Sequence, residues 1–122
     1  MFINKKIQIF IYNDSITGYT YDLWSYRMRK SVEYFVSERV RIVKTLNENE
    51  EGCTFALVYL VFADGWKELA RIDNYPHDGT KRAHIHRCGE ERVEYREMSI
   101  DEAEETLLRI GKRIKEEKYG IY

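Results

Sequence analysis

One proline in 122 residues leaves no material for a proline-rich linker, and the chain has neither a Gly-rich phosphate loop nor a nucleophile elbow. Two frequent routes to phosphoryl and acyl chemistry are thereby removed. The two cysteines, Cys53 and Cys88, lack the spacing of metal or redox motifs; without an export signal they are expected to be reduced, and they receive no function. No apolar run reaches the length that crosses a bilayer, and the amino terminus lacks the basic, apolar and small-residue succession of a signal peptide. The expected location is therefore cytoplasmic, with no membrane partner. A formal net charge of -1 excludes coating of nucleic acid by bulk electrostatics, so any anion site has to be local. Internal repeats and low-complexity segments are missing too.

Aromatic and β-branched residues are plentiful. Ten tyrosines, five phenylalanines and two tryptophans, with 34% charged residues, suit amphipathic strands in a single domain spanning residues 1–122. Residues 6–12 put Ile7, Ile9 and Ile11 on one side of a first strand, and the aromatic stretch 19–30 reads as a strand with an irregular end. Over 31–46, Val32, Phe35, Val36 and Val43 fit a helical face, whereas Val32, Tyr34, Val36, Val40 and Ile42 fit alternation. The Val and Ile content favours two strands turning at Ser37 and Glu38. A polar loop is expected over 47–52, a central strand buried on both faces over 54–62, and a return strand over 66–72 after an Asp64-Gly65 hairpin signal.

Alternation resumes over 93–98, and Ser99-Ile100-Asp101-Glu102 has the form of a capping box. Ala103, Leu107, Ile110 and Ile114 then make one apolar stripe, with acids in the first turns, bases in the last and Gly120 as the stop. The expected fold class is α+β: a curved antiparallel β-sheet from the strand-rich region 1–98, with a C-terminal α-helix, about 99–119, packed on one face.

The run Arg71-Ile72-Asp73-Asn74 precedes His84-Ile85-His86, which gathers two of only three histidines near a carboxylate and an amide. A His-x-His pair on an extended segment aims both imidazoles at one face, where groups titrating near neutral pH serve proton transfer or metal ligation. Residues 81–87 add Lys81, Arg82 and Arg87 with no acid, a neighbourhood suited to phosphate.

Four readings compete. In the first, the histidines are ordinary strand residues and Asp73-Asn74 makes a turn. In the second, two imidazoles with Asp73 or His77 ligate a divalent ion and leave a position open for water. In the third, His84 and His86 form an acid-base pair that acts on a ribose 2′-hydroxyl and the leaving 5′-oxygen. Asp73 would orient an imidazole, Asn74 hold the loop or bind phosphate, Arg71, Lys81 and Arg82 stabilise the phosphorane, and Tyr95 supply a hydroxyl or stack on a base. In the fourth, the same residues form a protein-binding surface.

The order RIDN, HIH, Tyr95 and SIDEAEETLLRI resembles the small toxins of TumE type from prokaryotic toxin-antitoxin modules. The likeness covers roughly residues 40–115 and includes FALVYLVFADGWKELARIDN, similar to the family's strand, Asp-Gly turn and strand. Where the family commonly has Lys-Gly-Asp before its His-x-His, this chain has Lys81-Arg82-Ala83, so only Lys81 carries over. The resemblance implies a toxin acting on RNA and restrained by a cognate antitoxin protein.

Together these features favour a toxin-like ribonuclease with an accessible histidine face. The site is His84, His86, Asp73 and Asn74, flanked by Arg71, Lys81, Arg82 and Tyr95 for substrate, and it uses no cofactor. Its partners are an RNA substrate and an antitoxin, with a homodimer left open. The alternatives are a non-catalytic partner-binding module and, third, a divalent-metal-dependent hydrolase.

Overall fold

The computed structural model describes residues 8–13, 28–49, 52–75 and 82–122. Among the described residues, seven strands follow one another in space in the order they occur along the chain: β1 (Gln8–Asn13), β2 (Met28–Ser37), β3 (Val40–Asn49), β4 (Gly52–Phe62), β5 (Trp66–Asp73), β6 (Ala83–Arg87) and β7 (Glu94–Arg96). Every neighbouring pair is antiparallel. Register shifts between Phe35 and Ser37 and between Tyr59 and Leu60 mark bulges, which bend the strands and curve the sheet. The fold is α+β, completed by a helix, α1 (Ile100–Tyr119), on one face.

The ambiguous stretch 31–46 forms two strands, as its Val and Ile content favours, with the turn at Glu38 and Arg39, one residue later than expected. Cross-strand pairing offers each β-branched side chain a neighbour on both sides, which a solitary helix would not. The 19–30 strand expectation is met at 28–30, and its remainder lies outside the described residues. The polar 47–52 stretch is mostly strand. Asn47 pairs Thr54, Glu48 pairs Cys53 and Asn49 pairs Gly52, so the ladder runs on to Gly52, which takes a φ of 131°. Polar composition marked the end of the hairpin correctly and overstated its loop.

Between β4 and β5, Asp64 (φ 62°) and Gly65 (φ 103°) both adopt left-handed backbone, which turns the hairpin with the twist of its strands. The central strand differs from expectation on one side. Phe55, Leu57, Tyr59 and Val61 are buried, whereas Ala56, Val58 and Leu60 are only partly covered. One helix can cover only one face.

That helix starts with the expected box: the Glu102 amide donates to Ser99 Oγ at 3.2 Å, and the Ser99 amide to Glu102 Oε1 at 2.9 Å. It ends at Gly120 in left-handed conformation, whose N–H donates to the Glu116 carbonyl at 3.0 Å. Ala103 and Leu107 of the apolar stripe are fully buried against the sheet. Gly111 allows the closest approach, since a Cβ there would lie 2.3 Å from Cγ of the Tyr59 ring. On the same side Glu104 accepts a hydrogen bond from the Tyr34 hydroxyl and pairs with Lys44 at 2.7 Å, joining α1 to β2 and β3. Burial first, then the Glu104 contact, pushes the Tyr34 hydroxyl far up from its ordinary range.

Candidate functional site

Asp73 ends β5 directly opposite His84 of β6, and Arg71 lies opposite His86. Side chains alternate, so Ile72 and Ile85 enter the core beneath α1 while Asp73, His84 and His86 share the other face. Tyr95 of β7 is the next partner across, opposite His84. The row Ala56, Asp73, His84, Tyr95 therefore crosses four strands.

One carboxylate serves both imidazoles. Asp73 Oδ1 is 3.4 Å from His84 Nδ1, and Oδ2 is 3.7 Å from His86 Nε2. Both contacts are longer than a good charged hydrogen bond. The Tyr75 amide donates to Asp73 Oδ1 at 3.3 Å, which helps hold the carboxylate in place. The two histidines differ in access. His84 has a side-chain exposure of 2% and His86 one of 40%, so the expectation that both face solvent holds only for His86. The His84 ring lies 4.8 Å from that of Tyr95 and, nearly perpendicular, 6.4 Å from that of His86.

Asn74 extends the β4–β5 ladder by one step. Its side-chain oxygen accepts from the Phe55 amide at 2.6 Å, while its own amide donates to the Phe55 carbonyl at 3.2 Å. This fixes the end of β5, and with it the direction in which Asp73 points. Tyr75 contributes from the following position, its hydroxyl accepting from Asn47 Nδ2 at 2.8 Å. Sequence reading missed Tyr75, because a backbone donor to a carboxylate leaves no residue-type signal.

Around the rim, the Arg82 guanidinium lies 5.2 Å from the centre of the exposed Tyr95 ring, a cation–π distance. Arg71 is exposed and pairs with Glu68 at 3.0 Å. Arg87 does not join this rim. It lies on the opposite face from His84 and His86 and pairs with Glu94 at 3.0 Å. Its distance in sequence from the histidines was short, but alternation sends it elsewhere. His77 and Lys81 lie outside the described residues. Beside β7 an open, mainly polar cleft is lined by Arg87, Arg92, Glu94 and Tyr95, so Tyr95 borders both the cleft and the histidine row.

The arrangement can orient one exposed imidazole for proton transfer, present cations to an anion, and offer an aromatic ring to a planar group. Among the described residues no helix is long and apolar enough to cross a membrane. No family model, curated protein or solved structure matches this chain, and its chemistry is read from its own geometry.

Proposed function

We propose that this protein is a toxin-like ribonuclease that cleaves RNA by histidine-based acid-base chemistry and is restrained by an antitoxin. The observation that carries this reading is the buried Asp73 carboxylate, flanked by one buried and one exposed imidazole beside Arg82 and Tyr95. His86 is the group that reaches substrate: its imidazole takes the proton from the ribose 2′-hydroxyl as that oxygen attacks phosphorus, the P–O bond to the 5′-oxygen breaks, and the leaving oxygen takes a proton from water. Asp73 orients it, while buried His84 packs against the carboxylate and Tyr95. Arg82 and Arg71 supply positive charge at the phosphate, and Tyr95 offers a stacking surface for an unpaired base. Asn74 acts one step back, by holding the strand end. The resemblance of the RIDN, HIH and SIDEAEETLLRI segments to TumE-type toxins supports the same reading.

The test is cleavage of labelled single-stranded RNA by purified wild-type protein and by His86→Ala at matched concentration, alongside growth of cells induced to make each. Cleavage and growth arrest confined to the wild type support the proposal. Equal arrest by both would move toxicity to another surface.

A second reading, a non-catalytic partner-binding module, has one observation in its favour. Phe62 and Trp66, 43% and 37% exposed, pack together with Phe35, and Arg41 lies 4.6 Å from the Trp66 ring. Exposed aromatics with arginine are typical anchors for protein partners. RNA left intact under all conditions, together with a partner lost on Trp66→Ala, would favour it.

A further inference from the structure

We infer that Asp73, His84 and His86 form a site for a divalent first-row transition ion such as zinc, and that the ion competes with proton transfer by His86. The competition rests on the acid-base reading above, whereas the binding does not.

Each residue offers one ligand atom, and the three atoms all lie within 4.8 Å of one another. Ligand atoms in a tetrahedral shell with bonds of about 2.0–2.1 Å stand roughly 3.3–3.5 Å apart. The 3.4 Å from His84 Nδ1 to Asp73 Oδ1 is already at that spacing, whereas the 3.7 Å from His86 Nε2 runs to the other carboxylate oxygen, Oδ2. With one atom from each residue the separations reach up to 4.8 Å, and the partly exposed His86 ring is the ligand that has to draw in. A direct pairing of cross-strand neighbours, Asp73 with His84, fixes two of the three ligands on rigid backbone; His86 follows two residues along the same strand.

The donors also suit the ion chemically. Two imidazoles with one carboxylate match zinc and its first-row neighbours, whereas calcium and magnesium favour shells of oxygen. A carboxylate with 7% side-chain exposure gains from a neutralising cation, because burial penalises an isolated negative charge. Among the described residues Asp73 accepts one backbone hydrogen bond, the 3.3 Å contact from Tyr75, which would steady a ligand from behind as outer-shell donors do. His86, partly exposed, leaves one side open to water or an anion.

The regulatory consequence follows from the lone pair. An imidazole nitrogen bound to a cation cannot accept a proton, so an occupied site withdraws His86 Nε2 from acid-base work. Zinc is therefore expected to inhibit cleavage and a chelator to relieve it.

The experiment titrates the purified full chain with zinc against a chromophoric chelator, follows cobalt(II) by its visible absorption, and measures RNA cleavage in the same samples. His86→Ala is the main variant because its side chain lies partly in solvent, and Asp73→Asn is the second, with circular dichroism as the fold control. Expected are one ion per chain and affinity reduced on the order of 100-fold in each folded variant. Failure of the wild type to bind zinc or cobalt, or equal binding by wild type and His86→Ala, would overturn the site. Cleavage without metal in a chain that binds none would leave the ribonuclease reading standing alone. Cleavage that requires zinc would keep the metal site and overturn both the competition and the acid-base reading.

Discussion

His84 and His86 are two residues apart on one strand, with side-chain exposures of 2% and 40%, and their substitutions should separate. His86→Ala is expected to lower RNA cleavage about 10²–10⁴-fold, the usual worth of a positioned acid or base, with the urea midpoint nearly unchanged. His84→Ala empties a buried volume beside Tyr95 and removes one neighbour of the Asp73 carboxylate, so a stability loss of about 2–4 kcal/mol is expected by chemical denaturation. A His84→Ala chain as stable as wild type would show that this ring does not support the strand. Asn74 is legible in sequence as part of an Asp-Asn pair, but its use is not: its side-chain oxygen accepts from the Phe55 amide and ties the residue to the strand ladder. Only the β4–β5 register reveals that assignment.

At the scale of elements, α1 offers two opposed tests. Ser99→Ala removes one half of the capping box and should cost about 1 kcal/mol in urea denaturation. The Ser99 amide, and then its hydroxyl, hold the Glu102 carboxyl below its ordinary range; since the folded value is lowered, this stabilisation is present above the unfolded value and fades as pH falls through the folded one. Gly111→Ala tests packing against propensity. Alanine raises helix propensity by about 1 kcal/mol, but its Cβ would overlap the Tyr59 ring, 2.3 Å away, and overpacking costs roughly 1–3 kcal/mol. A lower melting temperature is expected for Gly111→Ala, and a raised one would mean that the ring moves aside freely. The cap, the stripe and the stop of this helix are local patterns, and all three are readable in the chain. Gly111 is not, because its reason lies on β4, far away in sequence.

For the whole molecule, the joint between sheet and helix carries a titratable group. Burial, and second the charge of Glu116, push the Tyr59 hydroxyl up to about 12 from an ordinary 10.0. With the folded value above the unfolded one, the contribution is fully present below the unfolded value and is lost as pH rises from there through about 12. Base unfolding in that window, followed by circular dichroism and phenolate absorbance, should move to higher pH in Tyr59→Phe; an unchanged midpoint would exclude Tyr59 as a trigger. The chain by itself determined the strand-rich body, the Asp64-Gly65 turn, the capped helix and the shared face of His84 and His86. These depend on near-neighbour spacing: alternation by two, helical stripes, and turn residues with suitable backbone freedom. Tertiary structure decided which face α1 covers and that β4 is fully buried on one side only. It also brought Asp73 opposite His84, buried one imidazole and exposed the other. Those features require pairing between residues distant in sequence, and accessibility depends on everything packed around a side chain, so residue order near the site could not specify them.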